Sequence, residues 1–205
     1  MLIYPLTTTS DSSTVTASAA AIGGGAGATA LLVGQTYLYV SNTNSWIRQG
    51  SCKLVTCVTK ANFADTDFFT ITVAGIAVVY EFDKAGDGVT TGRVQVNISS
   101  DSTAAQCAAR LRTAILANQT TLEVTDNTDG TLTVAAPDLI MTITENVANA
   151  GFTVASAVMT VAKADGSMYV PLNYPVLLNG DSGPQVGCLR DSADGTATCT
   201  RVKKY

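Results

Sequence analysis

The chain is dominated by short stretches in which apolar and polar side chains alternate. The alternation is clearest in residues 68–73 and 76–82, and residues 36–40 are rich in aromatic and β-branched side chains. A period of two places successive side chains on opposite faces of a strand, so these patterns predict β-strands. Turn residues, as at positions 74–75 and 194–195, interrupt the strands roughly every ten residues. The sequence therefore indicates a mainly β protein.

One segment, residues 103–118, has the period of a helix. Its apolar side chains recur at every fourth position, at Cys107, Leu111 and Ile115. Thr103 followed by Gln106 is a capping-box pattern, in which the two side chains bond backbone N–H groups of the first turn. The pattern predicts one helix that ends near residue 118.

The predicted elements fall into two domains. Residues 34–50 and 167–205 contain short strands and turns that suit a small β-sandwich or barrel built from both ends of the chain. Residues 51–166 combine strands with the helix, which predicts an inserted α+β domain whose helix covers one face of a mostly antiparallel sheet. The predicted fold is thus mainly β with one helix, a β-sandwich or barrel interrupted by an inserted domain.

Four hairpins are predicted from strands that follow each other across a short turn. The paired segments are residues 36–40 with 45–48, 68–73 with 76–82, 122–125 with 131–135, and 185–190 with 196–202.

Residues 1–33 form a segment of distinct composition. An apolar tip (Leu2, Ile3, Tyr4, Pro5 and Leu6) precedes a stretch of Ser, Thr, Ala and Gly in which Asp11 is the only charge. Such a sequence has too few large apolar side chains for a core of its own. We expect an extended arm that lies on a neighbouring subunit with the tip as its anchor. A disordered leader is the alternative.

Composition and charge narrow the class of function. The chain has no histidine, which removes the usual side chain for proton transfer and the commonest metal ligand. Its net charge of −4 argues against binding to nucleic acid. Hydrophobic residues make up 46% of the chain, and we interpret part of that apolar surface as intersubunit contact; the alternative is small residues that fill a tightly packed sheet protein. Neither a secretory signal nor a membrane-spanning segment is predicted.

The five cysteines have no metal-ligand spacing, and we expect neither a metal site nor a cofactor. Their scatter is typical of buried thiols in a reducing cytoplasm. Cys188 and Cys199 flank the turn at residues 194–195 and could face each other across a hairpin and form a disulfide.

Other chemistry-bearing residues give no catalytic pattern. Most acidic residues lie where strands end or turn, a position in which aspartate bonds the local backbone; these residues are Asp65, Asp67, Glu81, Asp83, Asp87, Glu123 and Asp126. Residues 83–88 and 126–130 resemble calcium loops only superficially, because neither has the EF-hand spacing. We therefore predict no catalytic residues and a protein that is not an enzyme. A carbohydrate platform made of Tyr37, Tyr39, Trp46, Tyr169 and Tyr174 is the weaker interpretation beside core packing and interface burial.

The two outer segments resemble a small β module of tailed-bacteriophage virion proteins. The matching order is an aromatic-rich strand pair with Trp46 and Arg48, then the strand at residues 168–171, a Gly-Asp turn at 180–181 and a closing Gly-Thr hairpin at 195–202. The middle segment is similar to hairpin, helix and hairpin units inserted in phage tail, fibre and capsid-accessory proteins; its parts are DTDFFTITVAGIAVVYEF, STAAQCAARLRTAILAN and DGTLTVAA.

The resemblance implies a virion structural protein. It favours a capsid decoration or cement protein that binds the major capsid protein or other virion proteins as a homo-oligomer, with three copies favoured. Its location would be the capsid surface after assembly in the bacterial cytoplasm. The alternative within the same class is a tail, neck or head-fibre subunit with carbohydrate binding.

Overall fold

The computed structural model describes residues 3–5, 11–15, 20–23, 31–32, 35–159, 161, 167–191 and 195–204. In chain order the elements are β1 (Ile3–Pro5), β2 (Asp11–Val15), β3 (Ala20–Gly23), β4 (Thr36–Ser41), β5 (Ser45–Thr56), β6 (Phe68–Val73), β7 (Ile76–Asp83), β8 (Val94–Asn97), α1 (Ala104–Asn118), β9 (Glu123–Asp126), β10 (Thr131–Pro137), β11 (Met141–Asn146), β12 (Thr153–Ser156), β13 (Met168–Val170), β14 (Val176–Asn179), β15 (Gln185–Arg190) and β16 (Gly195–Lys204). Many strands and one α-helix among the described residues confirm the predicted fold class, mainly β with one helix.

The chain divides into two compact units. The terminal unit contains residues 1–52, 137–140 and 156–205, and the inserted unit contains residues 53–136 and 141–155. The sequence-based boundaries, at residues 51 and 166, differ from these. The difference arises because short segments that follow β10 and β12 bond the first part of β5: Asp138 N donates to Gln49 O at 3.0 Å and Ala157 N donates to Cys52 O at 3.1 Å.

The terminal unit is a sandwich of two antiparallel sheets. In the first sheet the order is β1-β16-β4-β14, with β2 also paired to β16; in the second, β15 lies between β3 and β5, and β13 pairs with β5. Both sheets contribute side chains to one core, which contains Leu31, Tyr37, Tyr39, Ile47, Val170, Leu178, Val186, Cys188, Ala197 and Cys199.

Two predicted hairpins of this unit are wrong. β4 pairs with β14 and β16, whereas β5 pairs with β13 and β15, so residues 42–44 carry the chain from one sheet to the other. β15 and β16 likewise belong to different sheets. The physical reason is that both strands of each pair bury apolar side chains in the same core from opposite sides. Cys188 and Cys199 therefore lie on opposite sheets rather than across a hairpin, and no disulfide joins them in this structure.

The inserted unit contains a four-stranded sheet of order β11-β6-β7-β8. The predicted β6–β7 hairpin is confirmed, with Ala74 at φ 48° and Gly75 at φ 84° in its turn. β8 pairs with β7 in parallel. The predicted β9–β10 hairpin is also confirmed, and β5, which continues into this unit, pairs with β10.

Helix α1 is confirmed in detail. The side chain of Thr103 accepts from Gln106 N, and the Gln106 side chain accepts from Thr103 N, so the capping box is complete. Cys107, Leu111 and Ile115 are buried. The helix packs beside β8 and β9, and an aromatic cluster of Phe63, Phe69, Tyr80, Phe82 and Phe152 fills another part of the core.

Candidate interaction surface

The acidic residues of the inserted unit hold turns together. Asp83 is fully buried and accepts from Gly86 N at 2.6 Å, from Gly88 N at 3.2 Å and from the side-chain amide of Gln95. Burial alone would raise the pKa of Asp83, but these hydrogen bonds outweigh it and the pKa is lowered. The prediction that aspartates here bond the local backbone is confirmed for this residue.

Three carboxylates of this region lie close together. Oxygen atoms of Asp65, Asp83 and Asp87 fall within 4.8 Å of one another. Asp65 Oδ1 accepts from Lys84 N at 2.6 Å and from Ala85 N at 2.7 Å. Backbone N–H groups therefore compensate the charge of the two less exposed carboxylates, and the cluster is explained as turn chemistry.

Glu81 is buried and forms an ion pair with Arg93. Arg93 Nη1 lies 2.6 Å from Glu81 Oε2, and the guanidinium carbon lies 4.1 Å from the centre of the Phe68 ring. Burial alone would raise the pKa of Glu81, but hydrogen bonds from Thr90 and Arg93 and the positive charge of Arg93 together lower it by more, so the net pKa is lowered. Glu81 is kept ionised as an acceptor and is not a proton donor near neutral pH.

All five cysteines are buried, and none of them is in a disulfide in this structure. Burial raises the pKa of Cys57 to about 12 and that of Cys107 to about 11. A nucleophilic cysteine needs the thiolate form, so these two side chains act as small apolar groups of the core.

An apolar surface stands out on the terminal unit. Six large hydrophobic side chains of the described residues are exposed, and four of them lie within seven positions: Met168, Tyr169, Leu172 and Tyr174. We call these four residues the apolar edge surface. Exposed fractions of 53% for Leu172 and 60% for Tyr174 leave most of these two side chains available to a partner. Clustered exposure of this kind is typical of an interaction site, unlike isolated exposed side chains.

The backbone that carries this surface is fixed by hydrogen bonds. Tyr174 N donates to Pro171 O at 3.0 Å, and Asn173, at φ 55°, donates through its N–H group to Ser41 O at 2.7 Å. Leu172 N donates to Asn44 Oδ1 at 2.9 Å. The turn is therefore tied to residues 41–44, and binding a partner does not require ordering of its backbone.

Trp46 supports the same surface. Its ring lies 5.3 Å from the ring of Tyr169, centre to centre, and its Nε1 donates to Asp191 Oδ1 at 3.2 Å. A cleft of about 290 Å³ adjoins Met168 and is lined by Ile47, Arg48, Gln49, Asp138, Met168 and Leu178. Among the described strands, β13 and β14 lie at the ends of their pairings, with β5 and β4 respectively, so each presents an open edge.

The structure separates the residues that the sequence analysis grouped. Tyr37 and Tyr39 are buried, so of the five predicted platform residues only Trp46, Tyr169 and Tyr174 contribute to the surface. Of the predicted contact tip, Ile3, Tyr4 and Pro5 form β1, paired with β16 of the same chain, whereas Leu2 and Leu6 lie outside the described residues. The apolar edge surface was missed as a unit. Its signal was the segment at residues 168–175, which is apolar or proline except for Asn173 and lacks the alternation of a half-buried strand.

No protein family matches the sequence, and no curated protein matches it. Among solved structures, the chain has a weak similarity to the flagellar cap protein FliD D2–D3 domains from Escherichia coli, at 14% identity over 94% of this chain and 98% of that chain, with a TM-score of 0.32. A likeness this weak carries no functional argument. Within the described part of the chain, α1 and the shorter helical turns fall short of the length and apolarity that a membrane crossing needs.

Proposed function

We propose that this chain is a non-enzymatic structural protein of a tailed-phage virion, a decoration protein that binds the assembled head shell as a homo-oligomer of three copies. The observation that carries the proposal is the apolar edge surface, held on a turn whose backbone is already fixed. A decoration protein binds the shell through apolar surface that is buried on contact, and several copies in one oligomer bind more tightly than one. The apolar edge surface is the part of this chain that we expect to be buried in that contact.

The carboxylates and thiols of the inserted unit also favour a structural protein over an enzyme. Glu81 and Asp83 are committed to hydrogen bonds, and the thiols of Cys57 and Cys107 have raised pKa values. The resemblance of the two outer segments to a phage virion module supports a location on the virion, with the major capsid protein as the expected partner.

The apolar edge surface is large enough to contribute measurably to the binding free energy of an oligomer on the shell. An aromatic side chain buries about 150–250 Å² in full, so the exposed part of Tyr174 amounts to roughly 100 Å². At about 25 cal/mol per Å², its burial contributes on the order of 2 kcal/mol, or about 30-fold in affinity. Leu172 contributes a similar amount, and several copies in one oligomer multiply the effect through avidity.

Head particles produced without this protein provide the test. Purified wild type should saturate their sites, and the double variant Leu172→Ser/Tyr174→Ser should show occupancy reduced by at least tenfold at limiting concentration. Ile76→Ser is the matched control, since Ile76 is 71% exposed at the start of β7 in the inserted unit and its loss should leave occupancy unchanged. Equal occupancy of wild type and double variant would refute the role of this surface, and absence of wild-type binding would refute the decoration function.

A second candidate is a tail, neck or head-fibre subunit that binds carbohydrate. The Trp46–Tyr169 ring pair, with the carboxylate of Asp191 bonded to the indole, favours it, since sugars stack on aromatic rings beside polar acceptors. Glycan-array screening of wild type and Trp46→Ala tests this candidate. A glycan that wild type binds and the variant does not would support it, whereas no glycan bound above background would reject it.

A further inference from the structure

Strand β8 forms an open edge of the sheet in the inserted unit. Among the described strands it pairs only with β7, in parallel. Directly after the strand, Ile98 N donates to Asp83 O at 3.0 Å. Because the backbone groups of successive residues alternate in direction along a strand, the N–H and C=O groups of Gln95 and Asn97 point away from β7. In the part of the chain that the structure describes, these four groups have no hydrogen-bond partner, so they form a template for a further strand.

The edge of β8 lacks the features that commonly protect an exposed strand. Its sequence, Val-Gln-Val-Asn, contains neither a charge nor a proline. The opposite edge strand of the same sheet, β11, carries the charged side chain of Glu145. Charges and prolines on edge strands hinder pairing with other chains. Of the two edges, β8 is therefore the better suited to accept a further strand.

Helix α1 lies beside this edge and forms a groove with it. The groove has a volume of about 280 Å³ and is lined by the four residues of β8 and by Arg110, Thr113, Ala114, Ala117 and Asn118 of α1. We call it the β8–α1 groove. Its helical side is alanine or threonine between Arg110 and Asn118, so an extended backbone can approach the helix closely. Four strand residues span about 13 Å and the helix rises about 12 Å from Arg110 to Asn118, so the groove fits an extended segment of about four residues.

The only charge in the β8–α1 groove is positive. Arg110 is the one charged residue that lines it, and its side chain is 56% exposed. Its Nε lies 3.4 Å from Asp101 Oδ2, while its two Nη groups have no partner among the described residues. The side-chain oxygen of Asn97 accepts from Ser99 N at 3.0 Å, which leaves the NH₂ group of Asn97 as a further donor. A ligand that carries a carboxylate complements these donors.

We propose that the β8–α1 groove binds an extended acidic segment of another protein, which adds as a fifth strand to the β11-β6-β7-β8 sheet. The backbone of the segment bonds Gln95 and Asn97, and one of its carboxylates bonds Arg110. In this mode of recognition the backbone hydrogen bonds supply affinity and the side-chain contacts supply specificity. The edge of a second copy fits less well, because it would bring another Arg110 to the groove instead of a carboxylate.

Selection from a displayed library of random octapeptides, with the purified full-length protein as target, tests the proposal. We expect the enriched sequences to have aspartate or glutamate at one fixed position and no proline in the part that pairs with β8. A synthetic peptide of the enriched sequence is then titrated into the protein. Its binding should slow hydrogen exchange of the Gln95 and Asn97 amides, which gain acceptors, more than that of Val96, whose N–H group faces β7.

N-methylated peptides distinguish strand addition from binding through side chains alone. Each peptide carries one methyl group on a backbone nitrogen, and the position of that group is moved along the sequence one residue at a time. Only every second N–H group of an added strand faces β8. Methylation should therefore weaken binding roughly tenfold at alternate positions and little at the positions between them. A uniform effect along the peptide would contradict strand addition.

Variants of α1 locate the site. Ala117→Met fills the groove from an exposed helical position and should weaken binding of the peptide roughly tenfold. Ala109→Met is the matched control, because Ala109 is exposed on the same helix and does not line the groove. Arg110→Gln should weaken binding of the acidic peptide about tenfold and leave the affinity for the same peptide with glutamine in place of its acid unchanged.

Three results would overturn the proposal. One is a selection in which no sequence is enriched above background, and another is an enriched peptide that binds Ala117→Met as tightly as wild type. The third is self-association of the wild-type protein that Ala117→Met abolishes, since the occupant would then be a second copy. The inference goes beyond the proposed function, because the groove belongs to the inserted unit and the apolar edge surface to the terminal unit. These experiments use no head particles, so binding to the shell and binding of an acidic segment can fail separately.

Discussion

Replacing Asp83 by asparagine tests whether hydrogen bonds alone hold the turn at residues 83–88. The carboxylate is fully buried; Oδ1 accepts from Gly86 N, and Oδ2 accepts from Gly88 N and from the amide of Gln95. Asparagine has nearly the same shape, but one of its two terminal groups is a donor. In either orientation its NH₂ group therefore faces a donor that the carboxylate had satisfied.

The size of the effect follows from the number of bonds to the charged group. Each hydrogen bond to a charged partner contributes about 1.5–3 kcal/mol, so losing one or two of them costs about 1.5–6 kcal/mol. In a domain of up to 100 residues each kcal/mol shifts the unfolding midpoint by about 4–8 °C, so the midpoint should fall by at least about 6 °C. The pKa of Asp83 is lowered in the folded state, so the stabilisation is present above the unfolded pKa of about 4 and is lost as pH falls through the folded pKa. The gap between variant and wild type should therefore narrow in acid.

Unfolding of each unit can be followed by its own spectroscopic signal. Circular dichroism at the helical minimum reports on α1 in the inserted unit, and fluorescence reports on the single tryptophan, Trp46, in the terminal unit. Asp83→Asn should shift the first transition strongly. Asp87→Asn removes the same charge from an exposed position and should shift it little.

Two results would refute this explanation of the turn. One is an Asp83→Asn midpoint equal to that of wild type or of Asp87→Asn. The other is a rise of several degrees in the wild-type midpoint on adding millimolar calcium, absent from the variant, since the carboxylates would then hold a cation.

The remaining predictions concern the helix and the thiols of the inserted unit. Thr103→Ala should cost about 1 kcal/mol in urea unfolding because the helix loses its cap, and Thr103→Ser should retain most of it; equal losses would show that the hydroxyl is not the cause. Leu111→Ala should cost about 2–5 kcal/mol, as Leu111 is fully buried, and a loss below 1 kcal/mol would contradict its place in the core. With pKa values of about 12 and 11, Cys57 and Cys107 should resist thiol reagents at pH 8 until the protein unfolds, and rapid reaction of the native protein would count against their burial.

The elements that the sequence predicted well are those decided by neighbouring residues. The β6–β7 turn needs positive φ at positions 74 and 75, and glycine at the second of them adopts it without strain. Helix α1 has its cap and its apolar face within one short segment. In both cases the physical cause lies within a few residues, so a local pattern is sufficient.

Pairing between sheets depends on distant residues and was not predicted. β4 and β5 have strand character and a polar turn between them, as a hairpin would, yet Tyr39 and Ile47 enter the core from opposite sheets. What separates the strands is the presence of β16 beside β4 and of β15 beside β5, more than a hundred residues further along the chain. The apolar edge surface was missed for the same reason, because its exposure depends on which strands end the two sheets.

Residues 1–33 need both kinds of information. Their composition, a local property, predicts a segment that orders only on another surface. The structure supplies that surface within the same chain, because β1 and β2 pair with β16 and β3 pairs with β15. Strands β15 and β16 lie more than 150 residues further along the sequence, so a pattern within residues 1–33 does not indicate which sheet edges its strands will cover.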